Sequence, residues 1–134
     1  MTNGHSFLVA VFALIWGITF GACGYKAAVS ENEVKDRIEK DIPRGSNISQ
    51  VLAFLNSLEI KGLKAEHSGF IPGKPAGTDR PTRNQGEVMG YVIASIKNAA
   101  RDDSKLQVYR IEIFLYFDKD QRLIDYKTQT RGDW

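Results

Sequence analysis

Apolar residues follow three different rhythms along this chain. Residues 7–20 form an apolar run broken only by Gly17 and Thr19, and no Lys, Arg, Asp or Glu occurs between Met1 and Ala22. That length suits the core of a signal peptide; a spanning helix needs about 20 apolar residues to cross about 30 Å of hydrocarbon. Past residue 30 the apolar positions recur every three or four residues. Val34, Ile38 and Ile42 fall on one helical face, preceded by Ser30-Glu31-Asn32-Glu33, which has the form of a capping box, and followed by Pro43 and Gly45, which stop the helix. A second helix begins after a cap at Ser46 or Asn47. Ile48, Val51, Leu52, Leu55 and Leu58 form its stripe, Phe54 lies on the edge, and Gly62 terminates it.

The period then drops to two. Leu63, Ala65 and His67 alternate with Lys64, Glu66 and Ser68, which predicts a strand. Residues 70–86 have no period; Pro72, Pro75, Pro81 and several glycines predict a long loop. Residues 87–98 would align Val88, Val92 and Ile96 on a helix, but Tyr91-Val92-Ile93 favours a strand, and a strand is the choice. Residues 99–105 read as a connection. Residues 106–117 form the clearest strand: Tyr109, Ile111, Ile113, Leu115 and Phe117 face one way, and Val108, Arg110, Glu112, Phe114 and Tyr116 the other. A hairpin turn at residues 118–121 leads to a returning strand over residues 123–130 and a tail over residues 131–134.

Helices first and strands afterwards predict an α+β fold. Its form would be two N-terminal helices packed on one face of a three- or four-stranded antiparallel sheet, a helix-helix-strand meander after an N-terminal signal or anchor segment. The expected division is residues 1–22 as signal peptide or anchor, 23–30 as linker and 31–134 as one domain. Without residues 1–22 the chain is still long enough for a single core.

Charge adds little. Lys and Arg total 18 against 16 Asp and Glu, a formal net charge of +2, and the basic residues are scattered. A nucleic-acid binder would gather them on one face. The one local excess is in the 70–86 loop, where Lys74, Arg80 and Arg83 face a single acid, Asp79. Those three residues are the candidate partner-binding set, suited to an acidic partner or an anionic lipid surface; a solvated excursion would have the same composition.

Catalytic and metal-binding patterns are sparse. His5 lies in the segment expected to be removed, and His67 has no second histidine or spare cysteine with which to build a zinc site. There is no Gly-x-Ser-x-Gly element and no phosphate-binding loop. Asp118-x-Asp120 lacks the further ligands of a calcium loop and reads as a turn. An enzymatic reading would need a pocket joining His67 to Glu66 or Asp79. The expectation is therefore no catalytic residue, no cofactor and no metal. Phe114, Tyr116, Tyr126 and Trp134 could serve as aromatic anchors for a protein partner or complete the core instead.

The lone cysteine, Cys23, closes the tetrapeptide Phe20-Gly21-Ala22-Cys23, which resembles the lipobox of bacterial lipoproteins. There the cysteine becomes the mature N-terminus and its thiol takes a diacylglyceryl group, the mature protein carrying acyl chains such as palmitate. An uncleaved anchor and ordinary secretion are the alternatives. For an anchor, Lys26, Lys35 and Arg37 would favour a cytoplasmic domain.

Two further stretches carry a resemblance. Residues 42–55, Ile-Pro-Arg-Gly-Ser-Asn-Ile-Ser-Gln-Val-Leu-Ala-Phe-Leu, and residues 117–123, Phe-Asp-Lys-Asp-Gln-Arg-Leu, resemble phrases of SmpA/OmlA-like small outer-membrane lipoproteins, and more closely of uncharacterised bacterial proteins with the same layout. Gln121 stands where that hairpin usually has Gly. The resemblance implies an accessory or protein-binding lipoprotein of the cell envelope, membrane-anchored with its domain in the periplasm or outside. The alternatives are an inhibitor or immunity-type protein acting through the 70–86 loop, or a single-pass protein anchored in the inner membrane.

Overall fold

In a computed structural model of the chain, residues 24–81 and 87–133 are described; Cys23, Arg83 and Trp134 lie outside them. The fold is α+β, with two helices and an open, antiparallel sheet of seven strands among those residues.

Helix α1 spans Glu31–Asp41 and α2 spans Ile48–Ser57. Both start in complete capping boxes. Ser30 Oγ accepts from the Glu33 N–H at 3.2 Å while the Glu33 carboxylate accepts from the Ser30 N–H at 3.3 Å. Asn47 and Gln50 exchange the same pair of bonds, each at 2.9 Å. Each box satisfies donors that a helix start leaves without intrahelical partners.

The strands are β1 (Tyr25–Ala27), β2 (Glu59–Ile60), β3 (Leu63–His67), β4 (Ile71–Pro72), β5 (Gly90–Asp102), β6 (Gln107–Phe117) and β7 (Leu123–Asp133). β5 organises the sheet. One of its edges pairs with β6 along most of its length; β4, β3 and β1 pair with it in turn at Gly90–Tyr91, Ala94–Ile96 and Ala100–Asp102. β7 lies on the far side of β6, and β2 pairs with β3.

The expected sheet of three or four strands is therefore too small, and the chain is not a helix-helix-strand meander. The predicted linker contains a strand, β1, and the predicted connection after residue 98 is the continuation of β5. The physical reason is a bulge: the register shifts between Ile96 and Ala100, with Asn98 at φ +58, a conformation Asn tolerates better than most residues. The Ala99 carbonyl in this bulge accepts from the N–H groups of both Ala28 and Val29 and so guides the chain from β1 toward α1.

One cluster of buried side chains takes Val34 and Ile38 from α1, Val51, Phe54 and Leu55 from α2, and Val92, Ile96, Ile111, Ile113, Leu115 and Phe117 from β5 and β6. Four of the five β6 residues expected on the core face belong to it. Phe114 and Tyr116 form a second cluster with Val88.

The hairpin between β6 and β7 is a tight three-residue loop closed by the Asp118 N–H donating to the Arg122 carbonyl at 3.0 Å. Asp118 Oδ1 accepts from the N–H groups of Asp120 and Arg122, and Gln121 sits at φ +57. Glycine is the usual residue at that left-handed position.

Candidate partner-binding surface

The segment after β3 is fastened to the sheet from its first residue. Gly90 carries no side chain because the Phe70 ring occupies that space; a Cβ there would overlap it. Phe70 in turn meets Phe117 edge-on, with centroids 5.9 Å apart. Ile71 and Pro72 pair with β5 as β4, and the Gly73 N–H donates to the Met89 carbonyl at 2.9 Å.

Farther along, a short 3₁₀ turn covers Gly77–Asp79. Tyr116 Oη donates to the Asp79 carbonyl at 2.6 Å, and Lys127 Nζ donates to the Arg80 carbonyl at 3.0 Å while standing 5.0 Å from the Phe114 ring centroid. Burial, with smaller contributions from the Asp79 and Asp125 carboxylates, raises the Tyr116 phenol well above the ordinary tyrosine range. It stays protonated and donating at any physiological pH.

These contacts correct one expectation and decide one alternative. Residues 70–81 are not a free excursion: their backbone is held by β5, Tyr116 and Lys127. Phe114 and Tyr116 are 0 % exposed, so neither is a surface anchor.

Of the predicted basic set, Lys74 and Arg80 are exposed, and Lys74 Nζ lies 3.2 Å from Glu87. A pair this open to water contributes little to stability and leaves the lysine able to exchange partners. Arg83 and Cys23 fall outside the described residues.

A second polar feature lies between α1 and β7, a cleft of about 400 Å³ lined by Lys35, Glu39, Arg44, Asp125, Tyr126 and Thr128 among others. Glu31 at the start of α1 accepts from Thr128 and Thr130, both at 3.0 Å. Tyr126 Oη donates to Glu39 at 2.7 Å, and buried Asp125 lies 3.8 Å from Arg44. Burial, then the hydrogen bond and charge of Glu39, push the Tyr126 phenol up to about 12. At neutral pH it is a fixed donor joining helix to sheet, not an acid–base group. Sequence reasoning missed this cleft. The register shift between Tyr116 and Phe117 displaces Asp125 from simple alternation, and no local pattern announces it.

His67 is engaged locally. Its Nδ1 accepts from the Gly69 N–H at 3.1 Å and its Nε2 lies 2.7 Å from Asn56 Oδ1. Glu66 pairs with Lys97 at 3.3 Å, and Asp79 meets Tyr116 through its backbone. The structure therefore does not join His67 to either carboxylate. Among the described residues no group of three or more His, Cys, Asp or Glu side chains is placed to hold a metal ion, and no helix is long and apolar enough to cross a membrane.

Comparison of the chain with protein-family models, curated proteins and solved structures finds no match.

Proposed function

We propose that this chain is a non-enzymatic lipoprotein of the bacterial envelope, tethered at Cys23, whose two helices cover one face of the sheet and whose 70–86 loop engages an acidic surface on a protein partner. Two acyl chains at Cys23 give stable attachment, since each buried CH₂ contributes about 0.8 kcal/mol. The observation that carries the binding role is the fastening of residues 70–81: the backbone is held by β5, Tyr116 and Lys127 while the Lys74 and Arg80 side chains remain exposed. A loop held in shape before binding loses less entropy on binding.

The same fastening favours a second reading, an inhibitor or immunity-type protein, because a blocking loop must keep its form against the enzyme it enters. Affinity purification from detergent-solubilised membranes tests both. The wild type is expected to retain a specific partner that the Lys74→Glu/Arg80→Glu double variant loses at unchanged melting temperature. Equal recovery by both forms would refute the loop as the contact. A recovered enzyme inhibited by the purified protein would select the second reading.

A further inference from the structure

Three of the four exposed large hydrophobic residues among the described ones, Tyr25, Leu106 and Val108, collect at one end of the sheet. The register places them together: Tyr25 pairs with Asp102, Asp102 with Gln107, and Arg101 with Val108. Leu106 is 92 % exposed and sits at φ +51 in the turn between β5 and β6. Gly or Asn suits such a position; a leucine there is disfavoured both by its backbone angle and by its exposure to water. An apolar environment outside the domain would account for it.

The chain's own course supplies that environment. The Asp103 N–H at this tip donates to the Gly24 carbonyl at 3.0 Å. Gly24 is at φ +83, and a Cβ there would stand 3.4 Å from both Asp102 Oδ1 and Ser104 Oγ. The residue before it is Cys23, and the apolar, uncharged segment precedes that. Whether acyl chains or the segment itself enters the bilayer, the attachment point is one residue from the tip. The Tyr25 ring meets Tyr109 at 5.8 Å and is half exposed, as suits an aromatic at headgroup level. Lys26 and Lys105 are exposed beside it, where lipid phosphates would lie.

We propose that this end of the sheet rests on the lipid surface, with Leu106 in the acyl boundary and Tyr25, Lys26 and Lys105 among the headgroups. The inference rests on the membrane-tethered reading and adds the orientation of the domain. β5 and β6 then stand away from the membrane, and residues 70–81, fastened near Gly90 and Phe117, are held at the far end.

The full chain is bound to vesicles of phosphatidylcholine and phosphatidylglycerol, with an environment-sensitive fluorophore on Leu106→Cys and, separately, on Lys119→Cys. Acylated Cys23 does not react with the dye. The two sites flank β6, whose 11 residues span about 35 Å at about 3.3 Å per residue. Nitroxide-labelled lipid is expected to quench the dye at 106 several-fold more than at 119. In a second arm, Leu106→Asn with the dye on Lys105→Cys is expected to melt no lower than the same label beside Leu106, yet to be quenched less. Vesicles that carry the protein but quench both ends equally would overturn the orientation and leave the tether standing. Protein that does not float with vesicles would sink the membrane-tethered reading and the docking with it, whereas wild type that floats but whose Cys23 takes the dye without reductant would overturn the acylation alone and leave the docking resting on the apolar segment.

Discussion

Tyr116→Phe removes one oxygen from a fully buried ring and leaves its packing with Phe114 and Val88 in place. What it deletes is the 2.6 Å bond to the Asp79 carbonyl. A buried hydrogen bond has a net worth of about 0.5–1.5 kcal/mol. Asp79 is only half-buried, so water can replace the lost donor at the carbonyl, and about 1 kcal/mol is the expected loss. With a urea slope of about 2 kcal/mol per molar, the midpoint falls by about 0.5 M.

The same substitution has a signature in alkali. The native phenol has a raised pKa relative to the ordinary value of 10. Below pH 10 both native and unfolded states hold the proton, and this group gives no pH dependence. Above pH 10 the unfolded chain releases its proton while the native state keeps it, so stability falls by up to about 1.4 kcal/mol per pH unit from this residue. Tyr126 acts in the same direction, so the variant keeps a shallower slope. Urea melts at neutral pH and across pH 10–11 measure both effects. An unchanged midpoint together with an unchanged alkaline slope would refute the claim that the Tyr116 hydroxyl is buried against the loop.

Two further substitutions probe other elements. Gln121→Gly relieves a left-handed position at φ +57 and should stabilise the fold by about 1 kcal/mol, read as a higher midpoint; a destabilised variant would mean the turn is not of this type. Leu55→Ala opens a cavity at a side chain that is 0 % exposed and should cost about 2–5 kcal/mol in urea melts, whereas Leu55→Met should cost less than about 1.5. A Leu55→Ala cost below 1 kcal/mol would contradict its burial in the shared cluster.

Local chemistry was legible in the sequence wherever the interacting groups are close in the chain. Ser30 with Glu33 marked α1, Ser46 or Asn47 marked the start of α2, where Asn47 proves to be the cap, and the alternation from Tyr109 to Phe117 marked the core face of β6. The turn at residues 118–121 was legible too, including Gln121 at the place where glycine is usual. What escaped depends on distant partners. β2 and β4 are two residues each, too short to show a period, and exist because β3 and β5 offer hydrogen bonds. β1 needs the part of β5 beyond the Asn98 bulge, which composition disguised as a connection. Alternation placed Phe114 and Tyr116 on the second face, whose aromatic end reads as partly covered; both are in fact fully buried. The basic loop was read correctly as basic. Its fastening by Tyr116 and Lys127 joins residues 37 and 47 positions apart, a span no local pattern reports.

The central claim is attachment to a membrane through Cys23, and acylation of that thiol tests it most directly. Cells making the wild type or Cys23→Ala are grown with an alkynyl fatty acid, and the purified proteins are coupled to an azide dye. The account predicts label on the wild type and none on Cys23→Ala. An unlabelled wild type, or undiminished label on Cys23→Ala, would contradict it.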